Sequence, residues 1–85
     1  MERNLLIETV KNFLAEEFEA DRDAIQDFAN MKQTLGLDSL DYIDMVVIIE
    51  SNFGVKLGEA DFKKIVTFND FYDTIEAKMG QKAYA

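Results

Sequence analysis

Ser39 is the side chain of greatest chemical interest. It sits in the run from Leu35 to Asp41, which reads LGLDSLD. A serine hydroxyl can attack an acyl or phosphoryl group, or accept one as an ester, when a base activates it. The 85 residues contain neither histidine nor cysteine. Ser–His–Asp and Cys–His arrangements are therefore excluded within the chain, as are zinc, iron–sulfur and haem sites built on those ligands. Taken alone, Ser39 reads as a helix-starting residue.

The carboxylates offer little chemistry of their own. Asp21, Asp23 and Asp27 are spaced like the start of a calcium loop, but Ile25 fills the fifth position and Gln26 the sixth, where glycine is needed. No metal site is expected. Glu16, Glu17 and Glu50 could be paired for acid–base work only within a cleft, and nothing in the sequence builds one around them. Phe13, Phe18, Phe53, Phe68 and Phe71 read as core.

The elements that must position Ser39 follow from periodicity. Leu6, Val10, Phe13, Leu14 and Phe18 recur at helical spacing and predict a first helix over about Asn4 to Glu19. Periodicity weakens from Ala20 to Leu37. This stretch is expected to be a long connection that can include a short helical turn, pinned by Ile25, Phe28, Met31, Leu35 and Leu37. Asp38 and Ser39 then open a second helix running to Phe53, with Gly54 as a left-handed cap. A short third helix is expected around Glu59 to Ile65. Thr67 and Asp70 have the spacing of a capping box for a last helix from Phe68 to Met79, with Phe68, Phe71, Ile75 and Met79 inward and Gly80 beyond it. The fold class is all-α: a small bundle of three main helices plus one short helix. The whole chain, 1–85, reads as a single domain with a loose tail from about residue 80.

At about 100° per residue, Ile43, Val46, Ile49 and Phe53 fall on one side of the second helix and are expected to face the core. Asp41, Asp44 and Ser51 fall opposite, with Ile48 among them, and Leu40 and Val47 lie at the edge. Negative charges around a few exposed apolar residues suit a docking surface. They equally suit a solvated helix face whose acids favour the dipole.

Composition narrows the partners. Apolar residues are 48% and charged residues 31%, a balance that folds. Seventeen acids against nine bases give a formal charge of −8, which argues against nucleic acid and anionic membranes and favours a partner with a basic surface. The start, MERNLLIETVKNFL, lacks the basic and apolar regions of a secretion signal, and no apolar run approaches a membrane span. A cytoplasmic monomer without membrane insertion is expected.

The order of features resembles the acyl carrier protein family. LGLDSL opens an acidic helix that ends in Glu50, Ser51, Asn52, Phe53 and Gly54, and Ile65 to Phe68 (IVTF) precedes the last amphipathic helix. The resemblance extends from about Leu5 to Lys78. It implies that Ser39 carries 4′-phosphopantetheine, delivered from coenzyme A by a phosphopantetheinyl transferase, and that acyl intermediates ride on this arm as thioesters. It also implies that Asp38, Asp41 and Asp44 meet basic residues of acyl-processing synthase enzymes, that Leu40 and Val47 touch partners beside the arm, with Ile48 nearby, and that the chain is a free-standing, non-catalytic carrier. With acids beside it, the phosphate is expected to project outward from the helix start. Ser51, Asn52, Ile48, Lys63, Lys64 and Tyr42 depart from the common pattern. Fatty acid synthesis and a related polyketide or polyene pathway both stay open. So do an aminoacyl or peptidyl carrier and an acidic interaction module that never receives an arm.

Overall fold

The computed structural model describes residues 2–83, with side chains through residue 80. Helix α1 spans Arg3–Glu17 and α3 spans Ser39–Phe53; α5, Phe68–Ala83, is the third long helix. Two short helices, α2 at Met31–Leu35 and α4 at Glu59–Lys64, and a 3₁₀ turn at Arg22–Ala24 complete the order. No strand is present among the described residues.

Local signals place most of these boundaries. Asp38 caps α3, and Gly54 ends it at φ 70°, the left-handed conformation that favours glycine. The Thr67–Asp70 box forms as expected: Asp70 N–H donates to Thr67 Oγ1, and the Asp70 carboxylate accepts from the Thr67 and Val66 amides. These bonds hold the Asp70 carboxyl below the usual carboxylate range, the Thr67 and then the Val66 amide being the main causes. Gly58 N–H donates to Asp61 at 2.8 Å and opens α4.

Two boundaries differ from the sequence reading. The Ala20–Leu37 connection contains α2, capped by Asn30 and ended by Gly36 at φ 64°. Five residues are too few to display a helical period, so only the cap and the glycine mark it. Helix α5 continues through Gly80 to Ala83, because one exposed glycine lowers helix propensity by only about 1 kcal/mol. The rest of the expected loose tail lies outside the described residues.

The core is one cluster of apolar side chains. Leu6, Val10, Phe13 and Leu14 of α1 meet Met45, Ile49 and Phe53 of α3 and Phe68, Phe71, Tyr72 and Ile75 of α5. Phe13 and Phe53 pack edge to face at 6.4 Å. The core seam of α3 is therefore Met45, Ile49 and Phe53, not Ile43, Val46, Ile49 and Phe53. Ile43 is 61% exposed and Val46 is half-buried. Apolar residues occupy most of the α3 wheel, so several orientations bury a comparable stripe. Packing against α1 and α5 selects one rotated by about 60° from the sequence expectation.

The long connection is stitched to the junction of α4 and α5. Met31 N–H donates to Val66 O at 3.0 Å, Phe68 N–H to Ala29 O at 3.3 Å, and Asn69 N–H to Asp27 O at 2.9 Å. Asn30 and Thr67 form an antiparallel bridge within this seam. Ile25 and Met31 are buried beneath it, whereas Phe28, expected to help pin the connection, is almost fully exposed. Arg3 joins α1 to α5 through Asp73 at 2.8 Å, and Lys78 joins α5 to α4 through Asp61 at 3.5 Å. Among the described residues no helix is long and apolar enough to cross a membrane.

Candidate functional site

Leu37 is buried and anchors the chain immediately before α3. Asp38 next supplies a side-chain cap: one carboxylate oxygen accepts from the Leu40 amide at 3.0 Å and the Asp41 amide at 3.1 Å. Asp41 reaches back to accept from the Asp38 amide at 3.0 Å. This reciprocal box fixes the first turn. Ser39 is its first helical residue, exposed, and its hydroxyl makes no hydrogen bond to another described residue. A helix start ordinarily offers its first free amides to an anion. In the structure, the Leu40 and Asp41 amides are taken by Asp38.

Ser39 lies at the mouth of a cleft of about 610 Å³. Tyr42, Ile43 and Val46 form its α3 wall, and Glu59, Phe62 and Lys63 of α4 line it with Ile65 and Val66 just beyond. Asn30 and Lys32, at the start of α2, close one side. Tyr42 and Phe62 meet across it with ring centroids 5.0 Å apart. Ser39 to Val46 spans seven residue-to-residue rises of helix, so this wall is about 10 Å long.

The outward face of α3 carries Leu40, Ile43 and Val47, which are 70%, 61% and 60% exposed. Their i, i+3, i+7 spacing makes one stripe. Asp44 and Ser51 are exposed beside it. The structure thus brings Asp38, Ser39, Leu40, Asp41, Asp44 and Val47 to one end and side of α3. Ile48 is not an outward residue. It is half-buried against the core and, with Phe18 and Glu17, lines a shallow hollow below Asp44 and Val47. The same helix rotation that turns Ile48 inward exposes Ile43, which the sequence reading assigned to the core. The 40/43/47 spacing was the available signal. Lys32 and Lys63 were not picked out as cleft residues, because they come from separate short helices whose mutual position no local pattern encodes.

Among the described residues, no group of three or more acidic side chains is placed to hold a metal ion.

Ser39 thus stands exposed on a capped helix start, beside a largely apolar cleft in a small helical bundle. Residues 8–75 match the family described as "Phosphopantetheine attachment site". The chain is 38% identical over 78 residues to an acyl carrier protein of Thermotoga maritima, covering 92% of this chain and 96% of that one. It is 28% identical over 80 residues to an acyl carrier protein of Lactobacillus acidophilus, covering 94% of this chain and 100% of that one. A crystal structure of an acyl carrier protein from Thermotoga maritima superposes with a TM-score of 0.77 at 28% identity, covering 95% of this chain and 94% of that one. The chain belongs to the acyl carrier protein family and carries a phosphopantetheine attachment domain.

Proposed function

We propose that Ser39 is the residue esterified by 4′-phosphopantetheine, and that the protein is a non-catalytic carrier of acyl intermediates in fatty acid or related polyketide synthesis. The observation that carries this reading is the Ser39 hydroxyl itself: exposed, unbonded, on the first turn of α3, and opening onto an apolar cleft. These features fit an esterified arm, since the oxygen is reachable from solvent and a cleft of about 610 Å³, largely apolar in its lining, lies beside it. When bound, the arm supplies a thiol on which acyl groups are carried as thioesters.

The remaining residues present and address this point. Leu37 and the Asp38–Asp41 box hold Ser39 in place. The chain has no histidine, and the Asp38 and Asp41 carboxylates beside Ser39 are engaged with backbone amides. The proton of the Ser39 hydroxyl must therefore leave to a base on a phosphopantetheinyl transferase. Leu40, Ile43 and Val47 supply an apolar contact stripe, and Asp44 beside it supplies charge. Together they suit an acyl-processing enzyme with an apolar patch bordered by Lys or Arg, with the charges guiding encounter and register.

The test is incubation of the purified chain with coenzyme A and a broad-specificity phosphopantetheinyl transferase. Intact mass should rise by one phosphopantetheine, and Ser39→Ala should remain unmodified. A Ser39→Ala protein that still gained the mass would remove the assignment. Loading the modified protein by a malonyl transferase, and not by an amino-acid-adenylating ligase, separates acyl from aminoacyl cargo.

A further inference from the structure

The two sides of Ser39 differ in charge. On the outer side stand Asp38 and Asp41 in the first turn and Asp44 in the next, and the amides that ordinarily cradle an anion at a helix start are engaged by Asp38 and Asp41. A phosphodiester there meets three like charges and few free donors. On the cleft side, two lysines, Lys32 from α2 and Lys63 from α4, stand against one lining carboxylate, Glu59. In a chain with 17 acids and 9 bases, this concavity is a local cationic excess. Lys63 Nζ is 4.0 Å from Glu59 Oε1, and both side chains are largely exposed, so the pair is weak and readily exchanged. Lys32 has no ion-pair partner among the described residues.

We propose that Lys32 and Lys63 together bind the phosphodiester of an arm on Ser39, turning it into the cleft and away from the acidic outer face of α3. This rests on Ser39 being the esterified residue. It reverses the outward projection expected from the neighbouring acids. Lysine suits the role: a compact charge on a flexible stem reaches a phosphate from either wall without the fixed geometry that Arg requires. With the phosphate held there, the rest of the arm runs along Tyr42, Val46 and Phe62, and Leu40 and Val47 stay clear for a partner enzyme.

The experiment loads the isotopically labelled chain with phosphopantetheine, confirms the gain by intact mass, and compares unloaded and loaded protein by NMR. Side-chain signals of Lys32 and Lys63 should move on loading, with the amides of Tyr42 and Phe62. The phosphorus resonance of the loaded protein should also differ from that of a loaded protein in which both lysines are replaced by glutamine. Raising salt from about 0.1 M to about 1 M, which shortens the screening length from about 10 Å to about 3 Å, should at least halve the lysine shifts. A Lys32→Gln, Lys63→Gln double variant should load normally yet lose the Tyr42 and Phe62 shifts. Because both lysines are exposed, this variant should keep the melting temperature of the parent. Gain of mass with unmoved lysine signals, or cleft shifts that persist in the double variant, would overturn the proposal alone. Failure to gain the mass would overturn the Ser39 reading beneath it as well.

Discussion

Replacing Tyr72 by Phe should make the protein more stable. Tyr72 is fully buried between α5 and the rest of the core, and its hydroxyl has no hydrogen-bond partner among the described residues. Holding an unpaired hydroxyl away from water costs roughly 1–3 kcal/mol, and deleting one oxygen leaves only a small void, so the net gain is about 1–2 kcal/mol. For a domain of this size that corresponds to roughly 5–10 °C in melting temperature. The ring should stay in place, since it is packed in the core and the Arg3 guanidinium lies 5.9 Å from its centroid. Alkaline pH amplifies the difference. Burial, and next the nearby Asp27 carboxylate, push the Tyr72 hydroxyl up to about 12 from an ordinary 10, with Arg3 opposing. Between these values the unfolded chain releases a proton that the folded chain retains. Parent stability is therefore undiminished below about pH 10 and falls as pH rises towards 12, by about 2–3 kcal/mol for this group. Tyr72→Phe lacks that loss. Thermal melts of both proteins at pH 7 and pH 11, followed by circular dichroism, provide the assay; groups common to both cancel in the difference. A variant less stable than its parent at pH 7, or a gap that does not widen at pH 11, would mean that the hydroxyl is satisfied in solution.

Three further outcomes are expected. Asp38→Ala removes the acceptor for two amides at the start of α3 and should cost about 1–2 kcal/mol, read as a lower melting temperature, with Asp38→Asn retaining most of it. Asp70→Asn should flatten the acid side of the stability curve: a carboxyl held below its usual range contributes stability at higher pH that disappears as pH falls through the folded value, and acid titration of both proteins compares the slopes. Val47→Ser lies on the exposed stripe, so stability should change by no more than about 0.5 kcal/mol. Acyl transfer from a partner synthase should fall roughly 5- to 30-fold in kcat/KM, the effect of losing a 1–2 kcal/mol contact.

What could be read from the sequence followed from how local its cause was. Asp38, Gly54 and the Thr67–Asp70 pair act on their own helix ends, and α3 and the start of α5 stand within a residue of where those signals put them. The orientation of α3 is a tertiary outcome. Its β-branched residues cover so much of the wheel that only contact with α1 and α5 decides that Met45 is inside and Ile43 outside. Helix α2 was hidden by its shortness. Tyr72, absent from the expected inward face of α5, is buried because that face is broader than a single i, i+3, i+4 row. The resemblance to the family was legible because seven consecutive residues, Leu35 to Asp41, carry most of it. The cleft beside Ser39 was not, because its walls come from α2, α3, α4 and the segment after α4.

The seam of main-chain bonds between residues 27–31 and 66–69 sets an order of events for a growing polypeptide. Until the final third of the sequence has been synthesised, Ala29 and Asp27 lack their donors and Met31 its acceptor, so the segment leading into Ser39 lacks its main-chain anchor. A nascent chain thus keeps its serine on an unanchored leader, and a modifying enzyme that selects for the folded helix start meets its substrate only after translation has passed Asn69.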